Sequence, residues 1–232
     1  MMPAESVGSA THRSRRFLTA GEAAAIDAAV ARIESRVGVP VVAAVVGKAD
    51  SYAELPWMAF ALGVSLAALA LVVTDWLRPD WVTASAALVH AATILGAGGA
   101  SALAAVFIPA YARLFLRPAL RDLEVRHYAQ SLFLRRELFK TRDRNGILML
   151  ICKFERKVEI LADVGLHGRV GEDDWGGTIT AMTPHLRQDH DAAALEAGLD
   201  ALGAMLAAKG FAGAIRGLNE LPRRPIEEEG PT

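Results

Sequence analysis

Two uncharged stretches in the middle of the chain, residues 55–74 and 81–112, restrict its possible folds more than any other feature. The charged residues between them are Asp75, Arg78 and Asp80. A helix that spans a bilayer needs roughly 20 mostly apolar residues, and both stretches reach that length. The sequence therefore predicts a transmembrane hairpin, with helices over residues 55–77 and 81–112, and hence a two-pass integral membrane protein.

The hairpin separates two flanks, residues 17–54 and 113–213, which we expect to form one soluble domain together. An even number of spans returns the chain to the side of the membrane on which it started, so the two flanks can pair. The polar segments 1–16 and 214–232 lack the apolar content of a packed core, and we expect both to be disordered.

The distribution of basic residues predicts the orientation of the hairpin. Lys48 precedes the first span, whereas Arg78 is the one basic residue in the connecting turn. Loops rich in Lys and Arg tend to stay in the cytoplasm. We therefore expect both flanks on the cytoplasmic side of a bacterial inner membrane. The basic residues that follow the second span are Arg113, Arg117, Arg121 and Arg126.

Small residues in the second span, Gly96, Gly98, Gly99 and Ser101, predict a surface that approaches the first span closely. The same surface could support self-association or contact with another membrane protein. His90 is the one titratable group in this span. Ionisable groups inside a membrane are functional candidates, but a neutral His facing the partner helix is the simpler interpretation.

In the first flank, Thr19 and Glu22 have the spacing of a capping box. This predicts a helix over about residues 20–36, ended by Gly38. Residues 39–46 are rich in Val and do not alternate between apolar and polar. That pattern is typical of an interior strand covered on both faces.

The second flank begins with an amphipathic helix over about residues 117–140 and continues with strands over about 147–153 and 157–163, which we expect to form a hairpin. The last strand has polar residues on one face, as edge strands do. Helices follow from Gly171 and after Asp191. This order is that of an α/β fold, in which the strand at 39–46 and the strand at 147–153 can be parallel neighbours joined by a long crossover.

Three segments, residues 145–151, 155–160 and 163–166, together with Trp175 resemble the TPM domain family. The resemblance extends over both flanks and leaves the hairpin as an insertion, as in the bacterial membrane branch of that family. It implies a small mixed sheet covered by helices, a three-layer α/β domain interrupted by a two-helix transmembrane hairpin.

The resemblance also implies candidate chemistry, because some TPM relatives are associated with acid phosphatase activity and with calcium. It directs attention to Asp163, Glu172, Asp173 and Asp174, with Asp143 as a further ligand if it lies on the same rim. Hard cations such as Ca²⁺ or Mg²⁺ require several oxygen ligands. The competing interpretation is that acidic residues in the first turn of a helix simply offset its dipole.

A catalytic constellation is not evident in the sequence, which shows no Gly-rich phosphate loop, paired His motif or nucleophile elbow. We therefore expect a non-catalytic accessory, assembly or binding protein that contacts the lipid bilayer and no nucleic acid. The alternative is a divalent-metal-dependent phosphatase of the TPM type. A small transport component is a third hypothesis, which would require oligomerisation.

Overall fold

A computed structural model describes residues 17–77, 84–213 and 224–231 of the chain. The predicted disordered segment 1–16, residues 78–83 of the turn between the predicted spans, residues 214–223 and Thr232 lie outside the described residues. Two compact units divide the chain: one comprises Met1–Gly47 and Ala129–Gly230, the other Lys48–Tyr128 and Pro231–Thr232. We call them the sheet unit and the hairpin unit.

Seven helices and four strands lie in the described part of the chain. The helices are α1 (Ala20–Val37), α2 (Glu54–Leu77), α3 (Ala84–Phe107), α4 (Pro109–Ala112), α5 (Pro118–Arg135), α6 (Glu172–Leu186) and α7 (Asp191–Ala208). The strands are β1 (Val41–Val46), β2 (Ile147–Cys152), β3 (Lys157–Ala162) and β4 (Ile226–Glu228). Short 3₁₀ turns occur at Arg113–Phe115 and Val164–Leu166.

The sheet has the strand order β3-β2-β1-β4. Strand β1 is parallel to β2, with Val41 opposite Ile147, and β2 is antiparallel to β3. The predicted crossover between parallel neighbours and the predicted β-hairpin of β2 and β3 are therefore confirmed. Strand β3 lies at one edge, as its polar face predicted. The fold is a mixed α/β fold, as expected.

Strand β4 corrects the prediction of a disordered tail over residues 214–232, because residues 226–228 pair in parallel with β1. The Glu227 carboxylate accepts hydrogen bonds from the backbone N–H groups of Phe17 and Leu18. Residues 226–228 form a short polar segment with no periodicity of its own. Its contacts with β1 and with Phe17 and Leu18, which are distant in the sequence, determine its structure.

Both central strands are buried along their whole length, which explains why neither alternates in sequence. On one face, alternate residues of β1 and β2 join a hydrophobic core with α1, α6 and α7. Close contacts between α7 and both other helices close this layer. The largest core side chains include Ile26, Met149, Ile151, Met182, Leu195 and Leu199.

Helix α1 begins and ends as the sequence predicts. Thr19 and Glu22 form the capping box, and Gly38 ends the helix in the left-handed conformation, with φ of 69°. Near its end, the buried carboxylate of Glu34 accepts a hydrogen bond from the backbone N–H of Val41, 3.3 Å away. This bond fixes the start of β1 relative to α1.

In the hairpin unit, α2 and α3 pack closely around two glycines. An added Cβ on Gly63 would lie 2.7 Å from the carbonyl of Ala97, and one on Gly98 would lie 2.6 Å from Val64. Ser101 donates a hydrogen bond to the carbonyl of Ala59 at 2.7 Å. Small residues on both helices therefore permit the close approach.

Two details of the second predicted span need correction. Apart from its chain neighbours and the backbone of its own helix, an added Cβ on Gly96 or Gly99 would have no described atom within 4 Å, so of the four small residues it is Gly98 and Ser101 that lie tightly against α2. The helix ends at Phe107 and does not continue to Ala112. Ile108 is extended because it precedes Pro109, and residues before proline avoid the helical region.

Candidate functional site

The predicted site lies at the edge of the sheet where β1 and β2 begin and antiparallel β3 ends. Asp163 follows β3, and its backbone N–H donates to the carbonyl of Gly146, 3.0 Å away. Gly165 donates to the carbonyl of Arg144 at 2.7 Å and lies against the carbonyl of Asp143. Asp143 and Asp163 thus lie on the same rim of the sheet. This was the condition under which Asp143 could serve as a further metal ligand.

Asp163 is the best-defined polar group on this rim. Its side chain is only 4% exposed, and it forms a bidentate ion pair with Arg144, with N–O distances of 2.7 and 2.9 Å. The same carboxylate accepts the backbone N–H of Val164 at 2.8 Å and so caps the 3₁₀ turn. Arg144 has a left-handed backbone, with φ of 50°, a conformation that is uncommon outside glycine.

Opposing effects set the charge state of Asp163. Burial on its own raises the pKa of the carboxyl, whereas the hydrogen bonds from Arg144 and Val164 and the charges of Arg144 and His167 lower it. The hydrogen bonds and charges outweigh the effect of burial, so the pKa of Asp163 lies below its usual value. The ion pair raises the pKa of Arg144 in turn.

The other predicted carboxylates lie at the start of α6. Asp174 accepts the backbone N–H of Gly171 at 2.8 Å and pairs with Lys209, 2.6 Å away. The pKa of Asp174 is lowered, first by the hydrogen bond from Lys209 and then by that from Gly171. Asp173 is exposed, and the side chain of Glu172 lies outside the described part of the structure.

These contacts bear on the predicted metal site. Both oxygens of Asp163 are already engaged by Arg144 and Val164, and Asp174 is engaged by Lys209. Among residues 17–77, 84–213 and 224–231, no three His, Cys, Asp or Glu residues are grouped so that they could hold a cation. This arrangement therefore does not fit a cation unless Arg144 moves away from Asp163. The metal site stays a prediction.

The opposite edge of the sheet, at the carboxyl ends of β1 and β2, holds a polar cluster that the sequence analysis missed. Lys153 forms an ion pair with the buried carboxylate of Asp191 at the start of α7. The Lys153 ammonium also lies 5.5 Å from the centre of the Phe17 ring. Ligands of open α/β sheets commonly bind beyond this edge. In the sequence, this cluster is marked only by a single Lys directly after an apolar strand. That pattern does not indicate Asp191 as the partner of Lys153.

Apolar exposure distinguishes the hairpin unit. Helix α2 and residues 86–107 of α3 are long and apolar enough to cross a membrane. Only 6% and 11% of their most apolar segments are buried, unlike the core helix of a soluble protein. Trp57, Trp76 and Phe107 are 74%, 81% and 75% exposed.

These observations define a class: an α/β domain with a mixed sheet, whose sequence is interrupted between β1 and β2 by an apolar helical hairpin. The TPM phosphatase family model, described as the TPM domain, matches residues 112–205. Residues 112–205 are therefore similar to the TPM domain. The match ends within α7 and omits α1 and β1, which the structure shows to belong to the same sheet unit.

Among solved structures, the chain is similar to the NMR structure of the BA42 protein from the psychrophilic bacterium Bizionia argentinensis. The two share 16% identity, with a TM-score of 0.54, and the alignment covers 91% of this chain and 96% of that one. At this identity the likeness supports the fold alone. No curated protein matches the chain.

Proposed function

We propose that the chain is a two-pass integral membrane protein whose TPM domain serves as an accessory or binding module. The observation that carries the proposal is the apolar surface of α2 and α3. Removing a large apolar side chain from water contributes about 1.5–3 kcal/mol, and many such side chains on these helices are exposed. A bilayer is the environment that covers them.

Membrane insertion is tested by extraction of membranes from expressing cells. We expect the protein to stay in the pellet at alkaline pH and to leave it only with detergent. Leu66, which is 58% exposed on α2, provides the variant Leu66→Arg. A central Arg costs about 2.5–3.5 kcal/mol of insertion free energy, so a larger share of this variant should be extracted.

Leu134→Arg is the matched control, because Leu134 is 62% exposed but lies on α5 outside the hairpin. This variant should behave as the unchanged protein does. Release of the unchanged protein by alkali alone would contradict membrane insertion. If both variants lose insertion equally, the hairpin is not the membrane segment.

The proposal includes a cytoplasmic location of both flanks at the bacterial inner membrane. Its support is the bias of basic residues toward the outer ends of the hairpin. A cysteine introduced at Thr232, in a chain with Cys152 replaced by Ser, tests this. It should resist an impermeant thiol reagent in intact cells and react after lysis. Labelling of this cysteine in intact cells would show that the flanks lie on the outer side of the membrane instead.

The accessory role is supported by the engagement of Asp163 and Asp174 with basic groups of the protein itself. Carboxylates in such pairs stabilise the fold and position loops. The second candidate, a phosphatase dependent on Ca²⁺ or Mg²⁺, is favoured by the phosphatase label of the matching family model. It requires Asp163 to leave Arg144 and join Glu172, Asp173 and Asp174.

Calorimetric titration of the purified protein in detergent with each cation separates the two candidates. The matched variant carries Asn or Gln at the four predicted carboxylates. Under the accessory proposal, neither protein binds a cation saturably or hydrolyses a generic phosphate ester. Saturable binding and hydrolysis by the unchanged protein, both lost in the variant, would establish the phosphatase instead.

A further inference from the structure

Strand β4 is joined to the sheet by an edge that recognises its sequence. The carbonyl of Glu228 accepts the backbone N–H of Gly47 at 3.0 Å, and Ile226 lies opposite Ala44 of β1. Ile226 is only 7% exposed, and Pro225 before it is also buried. One apolar position and one line of backbone bonds therefore hold the segment in register.

Two glutamates add charge recognition to this edge. Glu227 accepts the backbone N–H groups of Phe17 and Leu18, which precede α1. Glu228 is held between two arginines at the end of α5, with N–O distances of 3.0 Å to Arg135 and 2.9 Å to Arg136. An apolar residue followed by two acids is thus recognised at three successive positions.

Several features allow another strand to replace β4 at the edge of β1. Strand β4 is three residues long, and both arginines that hold Glu228 are about half exposed. Ion pairs at exposed arginines are weak. A covalently attached segment nevertheless has a high effective concentration at its site, so a competitor must make more contacts than the attached one.

We propose that the edge of β1 is a docking site for an extended acidic strand of a partner protein, with β4 as the resident occupant that the partner displaces. The partner strand has the form of an apolar residue followed by two Glu residues, and it adds to the sheet by β-augmentation. This inference rests on the proposed accessory role and names the chemistry of its partner. A second copy of this chain is the competing occupant.

The probe is a fluorescent peptide with the sequence of residues 224–231, and it is titrated against the full chain in detergent. The substitutions Glu227→Gln and Glu228→Gln in the chain weaken its own occupant. We expect saturable binding to this variant, about tenfold tighter than to the unchanged chain, because the attached segment no longer competes well. A peptide with the same two Gln substitutions should bind about tenfold more weakly.

Charge reversal provides the matched control. Adding Arg135→Glu and Arg136→Glu to the variant should abolish binding, and a peptide with Glu228→Lys should restore it. Protection of Cys152 from a thiol reagent confirms that each variant is folded, since this thiol is buried in β2. Absence of binding to a folded variant, or equal binding of the Gln peptide, overturns the proposal.

Dimer formation and alkaline extraction separate this proposal from a second copy as the occupant and from failure of the membrane proposal. If the unchanged chain forms dimers that the Glu227→Gln, Glu228→Gln variant does not form, the edge takes a second copy and the partner proposal fails. Alkaline extraction is an independent measurement of membrane insertion. A chain that inserts but does not bind the peptide refutes this inference alone, whereas a chain that binds the peptide without inserting refutes the membrane proposal.

Discussion

The ion pair between Asp163 and Arg144 makes a quantitative prediction about the stability of the sheet unit. Asp163→Asn keeps the shape of the side chain and one acceptor for the N–H of Val164. It removes the charge that holds two hydrogen bonds from Arg144, at 2.7 and 2.9 Å. The Asp163 side chain is 4% exposed, whereas that of Arg144 is 52% exposed.

The magnitude follows from this asymmetry. Hydrogen bonds to a charged group contribute about 1.5–3 kcal/mol each when both partners are shielded from water. Here the guanidinium keeps much of its hydration and can turn to solvent once its partner is neutral, so the pair must be discounted. We expect Asp163→Asn to lower the free energy of unfolding by about 1–2 kcal/mol at pH 7.

The dependence on pH has a definite sign. The pKa of Asp163 in the folded chain lies below the value of about 3.9 expected for an unfolded chain. Its contribution to stability is therefore complete above about pH 5 and is lost as pH falls through the folded pKa. The Asn side chain does not titrate, so the difference between the two proteins should be smaller at pH 3 than at pH 7 and should disappear only once the pH lies below the folded pKa.

Cys152 provides the assay, because it is the only cysteine in the chain and is fully buried in β2. Burial raises the pKa of its thiol, which further protects the folded state from labelling. The labelling rate with a dipyridyl disulfide, which reacts in acid, reports the opening of the sheet unit across the pH range. It does so without unfolding the hairpin in detergent.

Asp200→Asn on the exposed face of α7 is the control, since it makes the same chemical change at an exposed site. A loss at pH 7 no larger than that of the control would refute the assigned role of the ion pair. A loss that persists unchanged at pH 3 would refute the electrostatic origin and indicate a packing effect instead.

Three further predictions concern close contacts and one ion pair. Gly165→Ala places a Cβ 2.6 Å from the carbonyl of Arg144, so this variant should lose about 2 kcal/mol of stability in the Cys152 assay. Gly177→Ala should not, because its Cβ would have no described atom within 4 Å outside its chain neighbours and its own helix backbone. Asp174→Asn removes the ion pair with Lys209 and should lower the midpoint of urea unfolding slightly at pH 7, and a loss equally large at pH 3 would argue against the ion pair. Gly63→Leu should lower the temperature at which the hairpin aggregates in detergent, whereas Gly96→Leu should leave it unchanged.

Sequence determined the local structure of this protein. Chain segments longer than a core helix and without charge indicated α2 and α3, because helix length and composition are properties of adjacent residues. The capping box at Thr19 and Glu22 fixed the start of α1 for the same reason. Unbroken apolar runs indicated that β1 and β2 are interior strands. The resemblance to the TPM domain came from the segments at 145–166, which lie inside the matched region.

Tertiary structure alone decided the partners of the charged residues. Asp163 was predicted from its place at a strand end, but only the antiparallel course of β3 brings it beside Arg144, 19 residues earlier. Lys153 and Asp191, or Lys209 and Asp174, are likewise distant in sequence. A charged side chain carries no periodic signal that identifies its partner.

The C-terminal strand shows the same limit most clearly. Residues 226–228 have no strand pattern of their own, and in isolation they have too few apolar groups to offset the entropy of ordering. They become β4 because the edge of β1, the N–H groups before α1 and the arginines at the end of α5 meet at one place. Those groups are distant from one another in the sequence, so only the folded chain assembles the surface that holds this strand.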